Sequence, residues 1–172
     1  MIELMEDFTG AGAEIGFADD LAQASVLVID DEPGMRNFLS KVLTGKCARV
    51  DVTEDTRSAS RLLDEIAYDV IILDNIMPDQ TGLEWLAEQR QIGLFSDAIL
   101  ITAHADLDTA IQAIRAGASD FLLKPFRTNQ VLNAISQSLE RARLRRQNSV
   151  LRHELELGKD ILKNRDALLG SS

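Results

Sequence analysis

The chain has 172 residues, 45% of them hydrophobic and 27% charged, which is a globular composition and not a disordered one. A formal net charge of −10 and a pI near 4.6 repel phosphate backbones, so direct nucleic-acid binding is not expected. No apolar run approaches the roughly 18 residues of a membrane span, no basic start followed by an apolar core marks a secretory signal, and one cysteine, Cys47, excludes an internal disulfide framework. A cytoplasmic protein is expected.

Residues 1–24 are acidic and small, without Lys or Arg, and read as a flexible arm or a short docking helix. Their glycines, Gly10, Gly12 and Gly16, lack the spacing and the preceding strand of a nucleotide fingerprint. From Ser25 the pattern alternates between strand and helix. Ser25 to Ile29 is a short apolar run ending in Asp30-Asp31. Pro33 suits a first helical turn, and Phe38, Leu39, Val42 and Leu43 continue the helix. Arg49 to Thr53 alternates as a second strand, and Ala59, Leu62, Leu63 and Ile66 give a helical stripe. Val70 to Leu73 is continuously apolar, as a strand buried on both faces should be. A Pro-Asp-Gln-Thr-Gly loop leads to a helix carrying Leu83, Leu86 and Ala87. Ala98 to Ile101 forms a fourth strand, Leu107 to Ile114 a helix stopped by Gly117, and Phe121 to Leu123 a fifth strand closed by Lys124-Pro125. A long helical pattern follows, with Thr128 as its N-cap.

Five such alternations make an open parallel sheet with helices on both faces. The length suits a flavodoxin-like doubly wound α/β fold of strand order 2-1-3-4-5. The final helix is longer than packing requires. Leu144 and Leu151 fall at d and Asn148 and Leu155 at a of a short heptad pattern, which Gly158 weakens. A polar Asn at a sets register in a dimer, so residues 141–166 are expected to form a linker helix and coiled coil. The Arg-rich stretch Arg141 to Arg152 reads as a solvated helix face.

Ligands of open parallel sheets bind beyond the carboxyl ends of the strands. Here those ends carry Asp30-Asp31, Asp74, Thr102 and Lys124. Clustered carboxylates repel one another and are costly to bury without a partner. A hard divalent cation such as Mg²⁺, taking carboxylates, waters and phosphate oxygens, relieves this. Lys124 adds a positive charge and Thr102 a hydroxyl, so the set suits a phosphoryl group. A carboxylate can itself be the nucleophile and form an acyl phosphate. Asp74, alone on the central strand between the acidic pair and Lys124, is the best candidate. Singly, each residue reads as a turn, a cap or a surface charge; only the combination at successive strand ends is specific.

The sequence resembles the response-regulator receiver family of two-component systems over Ser25 to Ser138. VLVIDDEP, DNIMPDQTG, ILITAHAD and GASDFLLKPF carry the resemblance. It implies that Asp74 accepts phosphate from a sensor histidine kinase. Asp31 would bind Mg²⁺ directly and Asp30 through water, with Asp74 and the backbone carbonyl of Ile76 as further ligands. Lys124 would contact the phosphoryl group, Thr102 would move toward it, and Phe121 would rotate inward as an aromatic switch. The Lys124–Pro125 peptide would be cis. Ile76 and His104 flank the site, and no catalytic role is expected for His104. The linker and RDALLGSS are similar to NtrC-type, sigma-54-dependent transcription activators. Residues 25–140 would then be the receiver, a homodimer would form through the linker helix, and residues 167–172 would begin a downstream domain. No GxxxxGK[ST] loop and no helix-turn-helix after the receiver occurs here, so ATPase and DNA-binding parts are expected beyond Ser172. The chain is not expected to be an enzyme. The competing readings are a stand-alone receiver acting by protein contact or as a phosphate sink, and an aspartyl-nucleophile phosphatase. The second expects Asp-x-Asp on the first strand, where this chain has adjacent Asp30-Asp31.

Overall fold

A computed structural model describes residues 20–104 and 106–170, with side chains described through Arg165. Most of the expected arm, residues 1–19, lies outside the described residues. The chain divides after Leu139 into two compact units. In the first unit, the elements alternate as β1 (Ser25–Ile29), α1 (Pro33–Thr44), β2 (Arg49–Thr53), α2 (Thr56–Glu65), β3 (Val70–Asp74), α3 (Gly82–Gln91), β4 (Asp97–Thr102), α4 (Leu107–Ala116) and β5 (Asp120–Leu123). The final helix, α5 (Thr128–Gly170), starts in this unit.

The five strands pair in parallel in the order β2-β1-β3-β4-β5, the expected flavodoxin-like winding. Side chains alternate across a strand, and the apolar residues divide accordingly. Val26, Val28, Val70, Ile72, Ile99 and Ile101 share one core with Leu39 and Leu43 of α1 and Val131 and Ile135 of α5. Leu27, Ile29, Ile71, Leu73, Ala98 and Leu100 share the other with Ala59, Trp85, Leu86 and Ala113 of α2, α3 and α4. Both faces of the three central strands are therefore covered, which explains their uninterrupted apolar runs. Leu21 and Ala24, at the end of the segment read as an arm, are buried in the first core.

Local chemistry sets the helix starts. Asp55 Oδ1 accepts from Ser58 N–H at 2.7 Å, and Asp106 Oδ1 accepts from Thr109 N–H at 2.9 Å. Thr81 and Glu84 form a reciprocal capping box on α3. Gly117 ends α4 in the left-handed region, at φ 85°, where a Cβ is strained. Thr128, expected as a cap, is instead the first residue of α5. Gln130 Oε1 reaches back to the Arg127 N–H at 2.7 Å, so the cap position shifts by one residue. The strands β3, β4 and β5 also extend one residue beyond the apolar runs, to take in Asp74, Asp97, Thr102 and Asp120. Ladder hydrogen bonds continue past the point where hydrophobicity stops.

The second unit contains the rest of α5, which continues through Gly158 to Gly170. One glycine costs a helix only about 1 kcal/mol. The helix thus runs into the stretch expected to open a downstream domain. Leu144, Asn148, Leu151 and Leu155 are all exposed here, as are Val150, Leu157, Ile161 and Leu162. Among the described residues, no helix is long and apolar enough to cross a membrane.

Candidate phosphoryl and cation site at the carboxyl edge of the sheet

Strand register assembles the site. Ile29 lies beside Leu73, Asp74 beside Ile101, and Thr102 beside Leu123. Asp30, Asp74, Thr102 and Lys124 consequently stand at one edge although they are far apart in the chain. Asp30, Asp31 and Asp74 each bring a carboxylate oxygen within 4.8 Å of the others. Lys124 Nζ lies 3.4 Å from Asp74 Oδ2, 3.5 Å from Asp30 Oδ2 and 3.9 Å from Glu32 Oε2. The Lys124–Pro125 peptide is cis.

The adjacent acids differ sharply. Asp30 is 1% exposed and Asp31 is exposed. Asp30 Oδ1 accepts from Glu32 N–H at 2.9 Å, and Arg36 donates to the Asp30 carbonyl at 2.7 Å. Asp30 Oδ2 is buried without a hydrogen bond, 3.5 Å from the Lys124 ammonium. Asp74 is 6% exposed and accepts from Ile76 N–H at 3.4 Å. Burial pushes the Asp74 carboxyl above the usual carboxylate range, against the pull of Lys124. Burial also raises Asp30, opposed by the Glu32 N–H and reinforced by Asp74. For Lys124, burial would lower the ammonium, but Asp30 and Asp74 outweigh it and hold it above its ordinary value. These directions agree: Asp30 and Asp74 favour the Lys124 ammonium, while burial outweighs what that ammonium returns to either carboxyl.

A site with an excess of carboxylates, one of them with an orphaned buried oxygen, fits a hard divalent cation. Thr102 is 2% exposed, and its Oγ1 accepts from His104 N–H at 3.1 Å, which leaves its own O–H as a donor. Ile76 is exposed beside the site, and Phe121 is half-buried against the second core. His104 is exposed. The turn after Asp74 closes tightly. A Cβ on Gly82 would meet the Asp74 carbonyl oxygen at 2.3 Å, so only glycine fits the close approach.

Two neighbours were not singled out in the sequence. Glu32 joins the Lys124 ion pairs, and Arg36 anchors the backbone of the acidic turn. Arg36 lies on the first turn of α1, three residues after Pro33 and six after Asp30, and a basic residue on the turn that follows the acidic pair is the signal that could have found it.

Residues 26–136 match the response regulator receiver domain family. The chain belongs to that family. A receiver whose solution structure is known, the beryllofluoride-activated NtrC4 receiver domain dimer, is 35% identical, with a TM-score of 0.64 covering 68% of this chain and 97% of that one. NtrX from Brucella abortus is 29% identical, with a TM-score of 0.70 covering 75% of this chain and 29% of that one. The C4-dicarboxylate transport transcriptional regulatory protein DctD of Pseudomonas aeruginosa is 36% identical over 79% of this chain and 29% of its own length. The receiver described here thus spans between a quarter and a third of the length of the first regulators it matches.

Proposed function

We propose that this receiver is switched by phosphorylation, with Asp74 as the acceptor and a sensor histidine kinase as the donor. The observation behind this reading is the Asp74 carboxylate facing Lys124 at 3.4 Å beside Asp30 and Asp31. An Asp74 oxygen attacks the phosphorus of a kinase phosphohistidine. The P–N bond breaks, its electron pair returns to the imidazole, and an acyl phosphate forms. Asp30, Asp31, Asp74 and the Ile76 carbonyl would hold Mg²⁺. When bound, the cation neutralises clustered carboxylate and phosphoryl oxygens. Lys124 pairs with a phosphoryl oxygen, and the free O–H of Thr102 donates to another. Phe121, on the strand beside Thr102, moves with it as the switch.

The output reading rests on the exposed leucines of α5 and on the relatives. The row Leu144, Asn148, Leu151 and Leu155 would form the seam of a homodimer. The downstream parts would be the ATPase and DNA-binding domains of a sigma-54-dependent activator, and the protein would act in the cytoplasm. Incubation with acetyl phosphate and Mg²⁺ tests the acceptor. Wild type should gain hydroxylamine-sensitive phosphate, and Asp74→Asn should gain none. Undiminished labelling of the variant would defeat the assignment.

A further inference from the structure

The segment that carries Ile76 is tied to the rest of the fold at two places. At its base, the Asn75 carbonyl accepts from Gly82 N–H at 2.9 Å and Asn75 Oδ1 accepts from Leu83 N–H at 3.2 Å. At its tip, the Asp79 carboxylate reaches sideways to the first turn of α2. There Thr56 Oγ1 donates to Asp79 Oδ2 at 2.5 Å. Thr56 is 2% exposed, so its hydroxyl is taken from water; Asp79 Oδ2 is its near acceptor, with Gln80 Oε1 at 3.5 Å. Asp79 Oδ1 also accepts from Gln80 N–H at 3.1 Å. The Thr56 bond is the first cause holding the Asp79 carboxyl below its usual range, so the pair is a charge-assisted one.

Thr56 is itself firmly placed. Asp55 caps its helix, Ala59 is fully buried three residues on, and Ser60 Oγ accepts from Trp85 Nε1 at 2.9 Å. The tip of the loop is therefore fastened to a rigid element and not to another loop. Met77, between tip and base, is buried, while Ile76 projects outward. The backbone of Ile76 is the part of this segment that bears on the site. Its N–H donates to Asp74 Oδ1, and its carbonyl is assigned to the cation.

We infer that Thr56 and Asp79 are a positioning pair that holds the Ile76 backbone in place for cation binding at Asp74. This inference rests on the cation site proposed above. Without the pair the loop has a fixed base and a loose tip, and a carbonyl ligand that must be ordered on binding contributes less affinity. Neither residue is among the groups assigned above to the cation or the phosphoryl group.

The test is titration calorimetry of MgCl₂ into the 172-residue chain. Thr56→Val and Asp79→Ala should each weaken Mg²⁺ binding roughly tenfold, the scale of losses at groups that orient metal ligands. The double variant should be no weaker than either single one, and Thr56→Ser should restore wild-type affinity. Asp79 is exposed, so Asp79→Ala keeps the fold even if Thr56→Val does not. Asp31→Asn serves as the control. If Asp31→Asn loses Mg²⁺ while Thr56→Val and Asp79→Ala bind like wild type, the positioning role is overturned and the cation site stands. If Asp31→Asn itself binds like wild type, the cation site is what fails.

Discussion

Toward the amino ends of the strands, Asp51 accepts from Tyr68 Oη at 2.5 Å and from Arg49 Nε at 2.8 Å, and Asp69 Oδ2 accepts from both the Ser25 N–H and its hydroxyl. At the carboxyl ends, Asp30 and Asp74 are more deeply buried, and both donors to Asp74, Ile76 N–H and Lys124 Nζ, stand at 3.4 Å. The titration directions follow. Burial pushes Asp51 up, but the Tyr68 and Arg49 hydrogen bonds hold it below its ordinary value. Burial pushes Asp30 and Asp74 up, and what opposes it is insufficient. At Asp51 the hydrogen bonds outweigh burial; at Asp30 and Asp74 burial outweighs them, which is the perturbation expected of acids at a functional site. The contrast separates Asp51 from Asp30 and Asp74 within one sheet, where residue type alone does not.

Three experiments sharpen or break that contrast. The largest effect belongs to Gly82, whose added Cβ would collide with the Asp74 carbonyl and with Leu73. Gly82→Ala should lose about 3 kcal/mol in urea unfolding. An unchanged midpoint would mean the carboxyl edge is not built to tight tolerance. Next, Tyr68→Phe removes a donor from Asp51 and should lose about 1–2 kcal/mol at neutral pH. Because Asp51 is lowered in the folded chain, this stability is present above the ordinary carboxylate pKa and is lost as pH falls through the folded value. The gap between wild type and Tyr68→Phe should therefore narrow in acid.

The smallest effect should have the opposite sign. Asp74 is raised in the folded chain, so wild-type stability falls as pH climbs through the ordinary carboxylate range toward the folded value. Asp74→Asn, which cannot ionise, should melt a few degrees higher than wild type at neutral pH without Mg²⁺. That gain should vanish in acid, where both states of wild type are protonated, and should shrink when Mg²⁺ is added. A variant less stable than wild type at every pH would erase the distinction between the two ends of the sheet.

Much of this was legible in the residues. Uninterrupted apolar runs, Pro33 and Gly117 each act through the backbone within a few residues, so the order of elements and the two-sided burial of β3 could be read directly. The acidic pair, Asp74, Thr102 and Lys124 could be placed at strand ends for the same reason. The shift of the α5 cap from Thr128 to Arg127 is a local competition, with Gln130 supplying the winning bond.

What sequence determined, then, was periodicity and position along each element, because those depend on local stereochemistry. Only the packed structure decided that Asp30 loses its water while Asp31 keeps it, that Glu32 shares Lys124, and that Thr56 holds Asp79 across 23 positions of chain. Solvent exclusion and through-space distance arise when remote segments close on one another, and no short stretch of residues carries that information.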